Sequence, residues 1–434
     1  MKYFKLLKLQ CLVLCAFSLS GSLLVAEEKL PDTITLHYAL QRAESNHPEL
    51  EQAQAALEIA QSERLQANAL TGTNVSIQTR LFYVEPNSII SDQTNNDSSI
   101  GLFVNKNLYD FGRSEAAERA ADLAIKGERI GLASARNQRR LEIMRHYFDV
   151  ILADMAYLRD NEDMATAFVS LDKARDRREV GQLSDVEVLE LESIYQQVRL
   201  KRYRSDNQQR SARSALAIAM NQTGHLPATL EDPQLPSLNR SIPDIDEIIK
   251  SAKNTNPAIQ TAQAQLEAAQ ARLANARAGD SPVLSGEFEV RENNRSFGSR
   301  DKARIGLQLN IPLSTGGSTR ASIAKEQAIV RNQRAKLAIQ YAQLEQSLLD
   351  VWLGLNNLKA QHEQAIAQLD YRELYLDQRR ALYELETKTN LGDAMVQISE
   401  AQRYLKQTEF DIAYRWAQLD ALLGKKIYSG ENKQ

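Results

Sequence analysis

Hydrophobic and polar positions alternate in two different rhythms along this chain. Between residues 113 and 180 the apolar positions recur at helical spacing: Leu141, Met144, Phe148, Ile151, Met155 and Leu158 are separated by 3-4-3-4-3. The same rhythm returns in Leu337, Tyr341, Leu344, Leu348, Val351, Leu355 and Leu358. Spacing of this kind predicts long helices with a coiled-coil seam that needs a partner helix. The positions between are largely Gln, Arg, Glu, Asn and Lys, a solvated face. Any antiparallel bundle would account for these stretches taken alone.

Four other segments alternate every second residue, as half-exposed strands do. The first sets Val75, Ile77, Thr79, Leu81 and Tyr83 against Asn74, Ser76, Gln78 and Arg80. The second sets Ile100, Leu102 and Val104 against Ser99, Gly101 and Asn105. The third and fourth carry Leu284, Phe288, Val290 and Ile305, Leu307, Leu309, Ile311 on one side. Their other side bears Glu287, Glu289, Arg291 and Arg304, which suits contact with water. Each segment is near the roughly 9–11 residues that cross a bilayer as a tilted strand. The polar loops 85–97 and 292–302 suit an exposed rim. A small amphipathic sheet on a soluble core fits the alternation equally well; the helices around it favour the membrane.

Proline sets the boundaries. Pro227, Pro233, Pro236 and Pro243 cluster between the halves, and none occurs in 87–226 or from 313 onward, so long helices can run unbroken there. Residues 113–180 could rise about 100 Å at about 1.5 Å per residue. The shorter helical stretches 45–70 and 187–221 together nearly match that length, so the two could stack end to end beside it. This is the arithmetic of a rod.

The chain is also written twice. Asn46-His47-Pro48 is answered by Thr255-Asn256-Pro257, and Leu141, Met144, Phe148 and Ile151 by Leu348, Val351, Leu355 and Leu358, roughly 200 residues later. The expected organisation is a signal peptide at 1–26, a first structural repeat at 27–237 and a second at 238–434. Each repeat has a helix, two strands, a long helix and a return helix. The fold class is mainly α with a small β part. Four strands leave open edges, which a membrane does not tolerate, so the strands must be shared with identical copies. Three copies give a twelve-stranded barrel with an aqueous lumen.

Composition sharpens this picture. The chain has 434 residues, 43% hydrophobic and 25% charged, with only 6% aromatic residues. The net charge of −3 gives no reason to expect nucleic-acid binding. Lys2, Lys5 and Lys8 precede an apolar stretch from Cys11 to Ala26, which reads as a secretory signal cut near Ala26. Its sixteen residues are short for a membrane anchor, which needs about 20. A lipid anchor on Cys15 is the other reading, but Leu12-Val13-Leu14 lacks the small residue that processing wants. Both cysteines lie in this segment, so the mature chain has no thiol. No later stretch is long and apolar enough for a spanning helix; a crossing must be made by strands.

Chemistry is not written here. The five histidines (His37, His47, His146, His225 and His362) lack metal-ligand spacing, and there is no HExxH, P-loop or Gly-x-Ser-x-Gly. His362 falls where the other half has Met155, a seam or lumen position, and Trp352 and Trp416 read as packing residues. No enzyme activity, cofactor or metal is expected.

The duplication, the Asn-x-Pro signals and Asn107-Leu-Tyr-Asp-Phe-Gly112-Arg113 together resemble the TolC-type outer-membrane efflux family. So do the segments Val180-Gly181-Gln-Leu-Ser184-Asp185-Val-Glu187 and Thr387-Lys-Thr-Asn390-Leu391-Gly392-Asp393. The resemblance covers nearly the whole mature chain. It implies a homotrimeric α/β barrel in the outer membrane of a Gram-negative bacterium, with a large periplasmic part of coiled-coil helices. The implied function is a passive exit duct of a tripartite efflux or type I secretion system. Its implied partners are a periplasmic adaptor (membrane fusion protein), an inner-membrane pump and outer-membrane lipid. The implied gate and adaptor contact is the pair of helix tips: Gly181, Ser184, Asp185 and Glu187 in the first, Thr387, Asn390, Gly392 and Asp393 in the second. Thr387 stands where the family has glycine, Asn390 where it has a hydroxyl, and Val396 where some members carry a second acid. One acidic ring from Asp393 would favour cations. The plainer role for Asp393 and Glu187 is a helix-first-turn acid facing the dipole. A self-contained porin and a periplasmic coiled-coil adaptor are the rival classes. The cargo is not legible.

Overall fold

The computed structural model describes residues 31–427, apart from residues 32, 46, 90, 223–228, 296–300 and 386–390. The signal segment lies outside the described residues. In chain order the elements are β1 (Thr33–Ile34), α1 (Leu36–Gln41), α2 (Pro48–Ala69), β2 (Thr73–Arg80), β3 (Ser99–Tyr109), α3 (Arg113–Glu179) and α4 (Asp185–Ala219). They continue with β4 (Thr229–Leu230), α5 (Ile245–Thr255), α6 (Pro257–Arg277), β5 (Val283–Asn293), β6 (Ala303–Asn310), α7 (Ser318–Glu384) and α8 (Leu391–Leu422).

Helices α3 and α7 are 67 residues each, about 100 Å long at about 1.5 Å per residue. Above their midpoints α3 packs between α2 and α6, and α6 touches α7 in turn; below, α4 packs on α3, α3 on α8 and α8 on α7. Two short helices thus lie beside one long one, stacked as the length arithmetic requires. The seam holds from Leu141 to Phe148, all at most 6% exposed, and from Leu344 to Leu355. It fails lower down: Leu158 is 61% exposed in the single chain. There the side chains joining α3 to α8 are charged or polar.

Local chemistry fixes the helix ends. Both long helices start on a left-handed glycine, Gly112 (φ +86°) and Gly317 (φ +88°), which turns the chain from strand to helix. Asn256 caps α6 by accepting from Ile259 N at 3.0 Å, and its amide donates to Leu422 O, the end of α8, at 2.9 Å. The expected helix at 45–70 begins at Pro48, after a 3₁₀ turn at Arg42–Glu44. His47 caps it through Nδ1, 3.3 Å from Glu49 N. Burial and the nearby Arg139 guanidinium hold the His47 imidazole below its ordinary pKa.

A belt at mid-height was not anticipated. β1 and β4 pair in parallel, and Tyr147 Oη sits 2.9 Å from Ile34 O and 2.6 Å from Glu231 O, fastening that pair to α3. Phe148 stacks on Phe410 of α8 at 4.3 Å between ring centroids, with planes 2° apart. The second apolar cluster joins α5, α6, α7 and α8 around Leu348 and Trp416. Trp416 is buried under the Arg240 guanidinium at 4.1 Å, and Trp352 donates to Pro243 O at 3.0 Å, so both tryptophans pack. His362 is half-buried between α7 and α8, 3.9 Å from Glu409.

Candidate functional site: sheet and helix tips

The sheet runs β2-β3-β5-β6, every neighbour antiparallel. Its register lines up the four alternations. Val75, Val104, Phe288 and Ile305 form one cross-strand row, and Ile77, Leu102, Val290 and Ala303 the next. On the other face Ser76, Phe103, Glu289 and Arg304 form a row. Glu289 accepts from Arg304 at 2.8 Å and pairs with Arg291 at 2.7 Å, and the Arg291 guanidinium lies 5.1 Å from the Phe103 ring centre. Through its middle rows one side is therefore apolar and exposed, with Lys106 and Glu292 toward its two ends, and the other side is polar and charged. Strand β2 stops at Arg80, short of the expected Leu81 and Tyr83. Tyr83 makes only an isolated bridge with Asn96. The outer edges of β2 and β6 have no strand partner among the described residues. No described helix is long and apolar enough to cross a membrane.

The first tip is built from backbone turns and one capping box. Gly181, at φ +76°, ends α3: its N–H donates to Arg178 O at 2.9 Å, and Gln182 N donates to Arg177 O at 2.8 Å. This pair of bonds is a Schellman close, which needs a left-handed residue. Three residues on, Ser184 caps α4. Its Oγ accepts from Glu187 N at 3.3 Å, and Glu187 Oε2 accepts from Ser184 N at 2.8 Å. That backbone hydrogen bond, with the Ser184 hydroxyl's, holds the Glu187 carboxyl below the usual range. Asp185 is exposed, 3.7 Å from Arg178. Leu171, Ala174 and Val188 seal the turn beneath.

In the second tip, Thr387 and Asn390 lie outside the described residues. Gly392 and Asp393 sit in the first turn of α8 rather than in a loop before it. Gly392, unlike Gly181, is not in the left-handed region. It approaches α3 at Thr166, so closely that an added Cβ would fall 2.5 Å from Thr166 Cγ2. Asp393 is exposed and accepts from Gln397 at 2.8 Å, and Gln397 in turn accepts from Arg372 of α7. Above Gly392 the α3–α8 contact is polar. Ser399 donates to Glu162 at 2.7 Å; Arg159 reaches Glu400, which Arg403 also binds at 2.7 Å. Partial burial pushes the Glu400 carboxyl up, but the hydrogen bonds from Arg403 and Arg159 outweigh it and set its pKa at about 2. Lys201 of α4 lies 3.3 Å from the buried Asp160. Sequence reasoning missed Thr166, Arg159 and Glu400. Neither Arg159 nor Thr166 falls on the 3-4 rhythm, which runs through Leu158, so no local pattern marked them.

No metal-ligating cluster of His, Cys, Asp or Glu occurs among the described residues. What the arrangement can do is present one face to hydrocarbon and one to water, and hold two helix pairs together by charge near their ends.

Residues 248–425 match the family model described as outer membrane efflux protein. Protein CyaE of Bordetella pertussis is 26% identical over 264 residues, 60% of this chain. The match spans 56% of that relative, little more than half its length. Outer membrane efflux protein BepC of Brucella suis biovar 1 is 24% identical over 357 residues, covering 80% of this chain and 75% of its own. Among solved structures, the outer membrane protein VceC of Vibrio cholerae superposes with a TM-score of 0.72 at 17% identity, over 91% of this chain and 97% of that one. The Campylobacter jejuni CmeC outer membrane channel gives 0.71 at 14% identity, over 92% and 87%. At those identities the structures speak for the fold alone. With the family model matched over residues 248–425 and the fold shared over nine-tenths of its length, the chain is similar to the TolC-type outer-membrane efflux proteins in its second half and carries their fold.

Proposed function

We propose that this chain is one of three identical subunits of an exit duct in the outer membrane, serving a tripartite efflux or type I secretion system. The observation that carries it is the four-stranded sheet: one largely apolar face, one charged face, two open edges, and strands that run on into helices about 100 Å long. Open edges in hydrocarbon leave backbone groups unsatisfied, so β6 of one copy must pair with β2 of the next. Three copies close twelve strands around the face that bears Glu287, Glu289, Arg291 and Arg304. The two halves of each chain, 27–237 and 238–434, act as structural repeats and give the helical part a near-sixfold character.

The duct is a passive conduit; energy comes from an inner-membrane pump reached through a periplasmic adaptor. The tips form its gate and adaptor contact: Gly181, Ser184, Asp185 and Glu187 on one side, Thr387, Asn390, Gly392 and Asp393 on the other. Three copies of the exposed Asp393 around the axis would make a cation-favouring constriction. The name outer membrane efflux protein, carried by BepC, supports the efflux reading.

Sizing of the detergent-extracted protein tests the proposal: a trimer is expected. A monomeric barrel would favour a porin, and extraction without detergent an adaptor. Deleting residues 74–108, which removes β2 and most of β3, is expected to abolish recovery in outer membranes. Normal recovery of that variant would overturn the proposal.

A further inference from the structure

The apolar face of the sheet carries one lysine. Lys106 of β3 stands in a cross-strand row with Thr73, Gly286 and Leu307, one step from the row that contains Val104. Just beyond it the register slips. Asn107 pairs with Ser285 but Tyr109 with Leu284, so Leu108 is an extra residue. A Cβ built on Gly286 would lie 3.4 Å from Leu108 Cδ1, so Leu108 fills the place that Gly286 leaves empty, on the same face as Lys106. The slip brings Tyr109 to that face as well. Two residues on, Phe111 adopts φ +55°, in the left-handed region, with its ring 4.7 Å from that of Tyr109 in an edge-on pair. At the other strand-to-helix junction the same pair of left-handed positions is Gly316 and Gly317. Glycine serves where only the turn matters; a bulky side chain held there is strained and needs another reason.

None of these groups finds that reason within the chain. Tyr109 and Phe111 are 58% and 52% exposed, and among the described residues Lys106 has no hydrogen-bond or ion-pair partner. A neighbouring copy does not supply it for Lys106. A strand added beside β2 would stand two strand spacings, about 10 Å, from β3. What does face this surface, on the outer-membrane reading above, is lipid. Strands rising about 3.3 Å per residue at a tilt of about 40° advance about 2.5 Å per residue along the membrane normal. With Leu108 the extra residue, Lys106 lies two strand steps, about 5 Å, from the level of Tyr109, within the reach of an extended lysine side chain, which can run along the apolar surface to the headgroups. Tyrosine and other aromatic rings collect at that same level.

We propose that Lys106, Tyr109 and Phe111 form a phospholipid anchor at the periplasmic border of the barrel, with the Lys106 ammonium bound to the phosphate of a leaflet lipid and the two rings flanking its glycerol. The strain at Phe111 is the cost of setting the second ring in place. The inference rests on the membrane-duct reading, and the assay separates the two.

The full-length protein, extracted in detergent, would be titrated with dioleoylphosphatidylglycerol, with dioleoylglycerol (the same chains without phosphate) and with inorganic phosphate, and bound species counted by native mass spectrometry. The wild type should retain the phospholipid at least about fivefold more than dioleoylglycerol. Lys106→Gln should bring the two to parity, while Lys302→Gln, a cation in the rim loop, should change nothing. Phe111→Gly should move two readouts in opposite directions: melting in detergent without lipid rises as strain is relieved, and the added stabilisation by phospholipid falls. Unchanged phospholipid retention in Lys106→Gln would overturn the anchor, as would full displacement of the lipid by inorganic phosphate. If the wild type leaves membranes without detergent, the duct reading itself fails; if Lys106→Gln inserts normally but binds lipid as before, only the anchor fails.

Discussion

The contact between Gly392 and Thr166 offers a sharp test of how the helix pairs are held near their ends. A methyl group at position 392 would sit 2.5 Å from Thr166 Cγ2, 2.6 Å from its Oγ1 and 3.1 Å from its Cβ. Ordinary contact begins near 3.5 Å, so α8 must retreat from α3 by about 1 Å or the threonine must move. Turning χ1 does not suffice, because the Thr166 Cβ is itself too near and a β-branched side chain in a helix has few rotamers. Overpacking of this kind costs about 1–3 kcal/mol. If opening the duct separates α8 from α3, that cost falls on the joined state alone. The open population should then rise about 5- to 150-fold, at about 1.4 kcal/mol per factor of ten. The hypothesis is that Gly392→Ala raises open probability in single-channel recordings of the purified protein in planar bilayers. Thr166→Gly, added to it, should restore the wild-type value. Closed-state occupancy in Gly392→Ala equal to that of the wild type would refute the reasoning, and so would an increase that Thr166→Gly leaves untouched.

Three further outcomes are expected. Gly181→Ala forces an L-residue into φ +76° at the Schellman turn and should destabilise the first tip by about 1 kcal/mol, read as faster amide exchange in residues 176–188 with the mid-height belt unchanged. Tyr147→Phe removes the hydroxyl between Ile34 O and Glu231 O and should cost about 1–3 kcal/mol in thermal unfolding, because the one proton those two oxygens share is lost at a buried site. Glu400, with its pKa set at about 2 against 4.5 unperturbed, strengthens the folded state at pH above 4.5, and that contribution fades as pH falls through 4.5 toward 2. The α3–α8 ion pair should thus survive to about pH 3, followed by the carboxylate infrared band of the wild type against Glu400→Gln. A midpoint near 4.5 would refute it.

Much of this molecule could be read from residue order alone, and the parts that could not share a cause. The long helices were legible because a 3-4 rhythm over many turns has no other cheap explanation, and α3 begins at Arg113 and ends within one residue of the expected limit. The strands were legible from alternation, and the register places Val75, Val104, Phe288 and Ile305 in one row. The mid-height belt was not, because β1 and β4 are two residues each and pair through contacts far apart in sequence. Tyr147 carries no local sign that its hydroxyl will join them. The tips were half legible. Gly181 and Ser184-x-x-Glu187 form a left-handed stop and a capping box, local codes in a stretch that the sequence reading gave only as a tip with Glu187 a first-turn acid. Gly392 was read only as a residue of the second tip; its value lies in what passes beside it, the Thr166 side chain of another helix.

That contrast bears on how the duct would be held shut and released. Along α3 the joint with α8 changes character downward: stacked rings at Phe148 and Phe410, then charge at Arg159 and Glu400, then a hydroxyl–carboxylate contact at Glu162 and Ser399, then bare close approach at Thr166 and Gly392. Buried aromatic contact is lost only with exposure of apolar surface, whereas partly exposed charges and hydroxyls exchange their partners for water at little net cost. A force that parts the tips would therefore meet least resistance at Gly392 and most at Phe410. The joint can separate from below without unfolding from above. Apolar packing across this stretch would extend the tight section of the α3–α8 joint toward the tip; the chain instead spends it on Arg159 and Glu162, which hold α8 in register through Glu400 and Ser399 and still let it part.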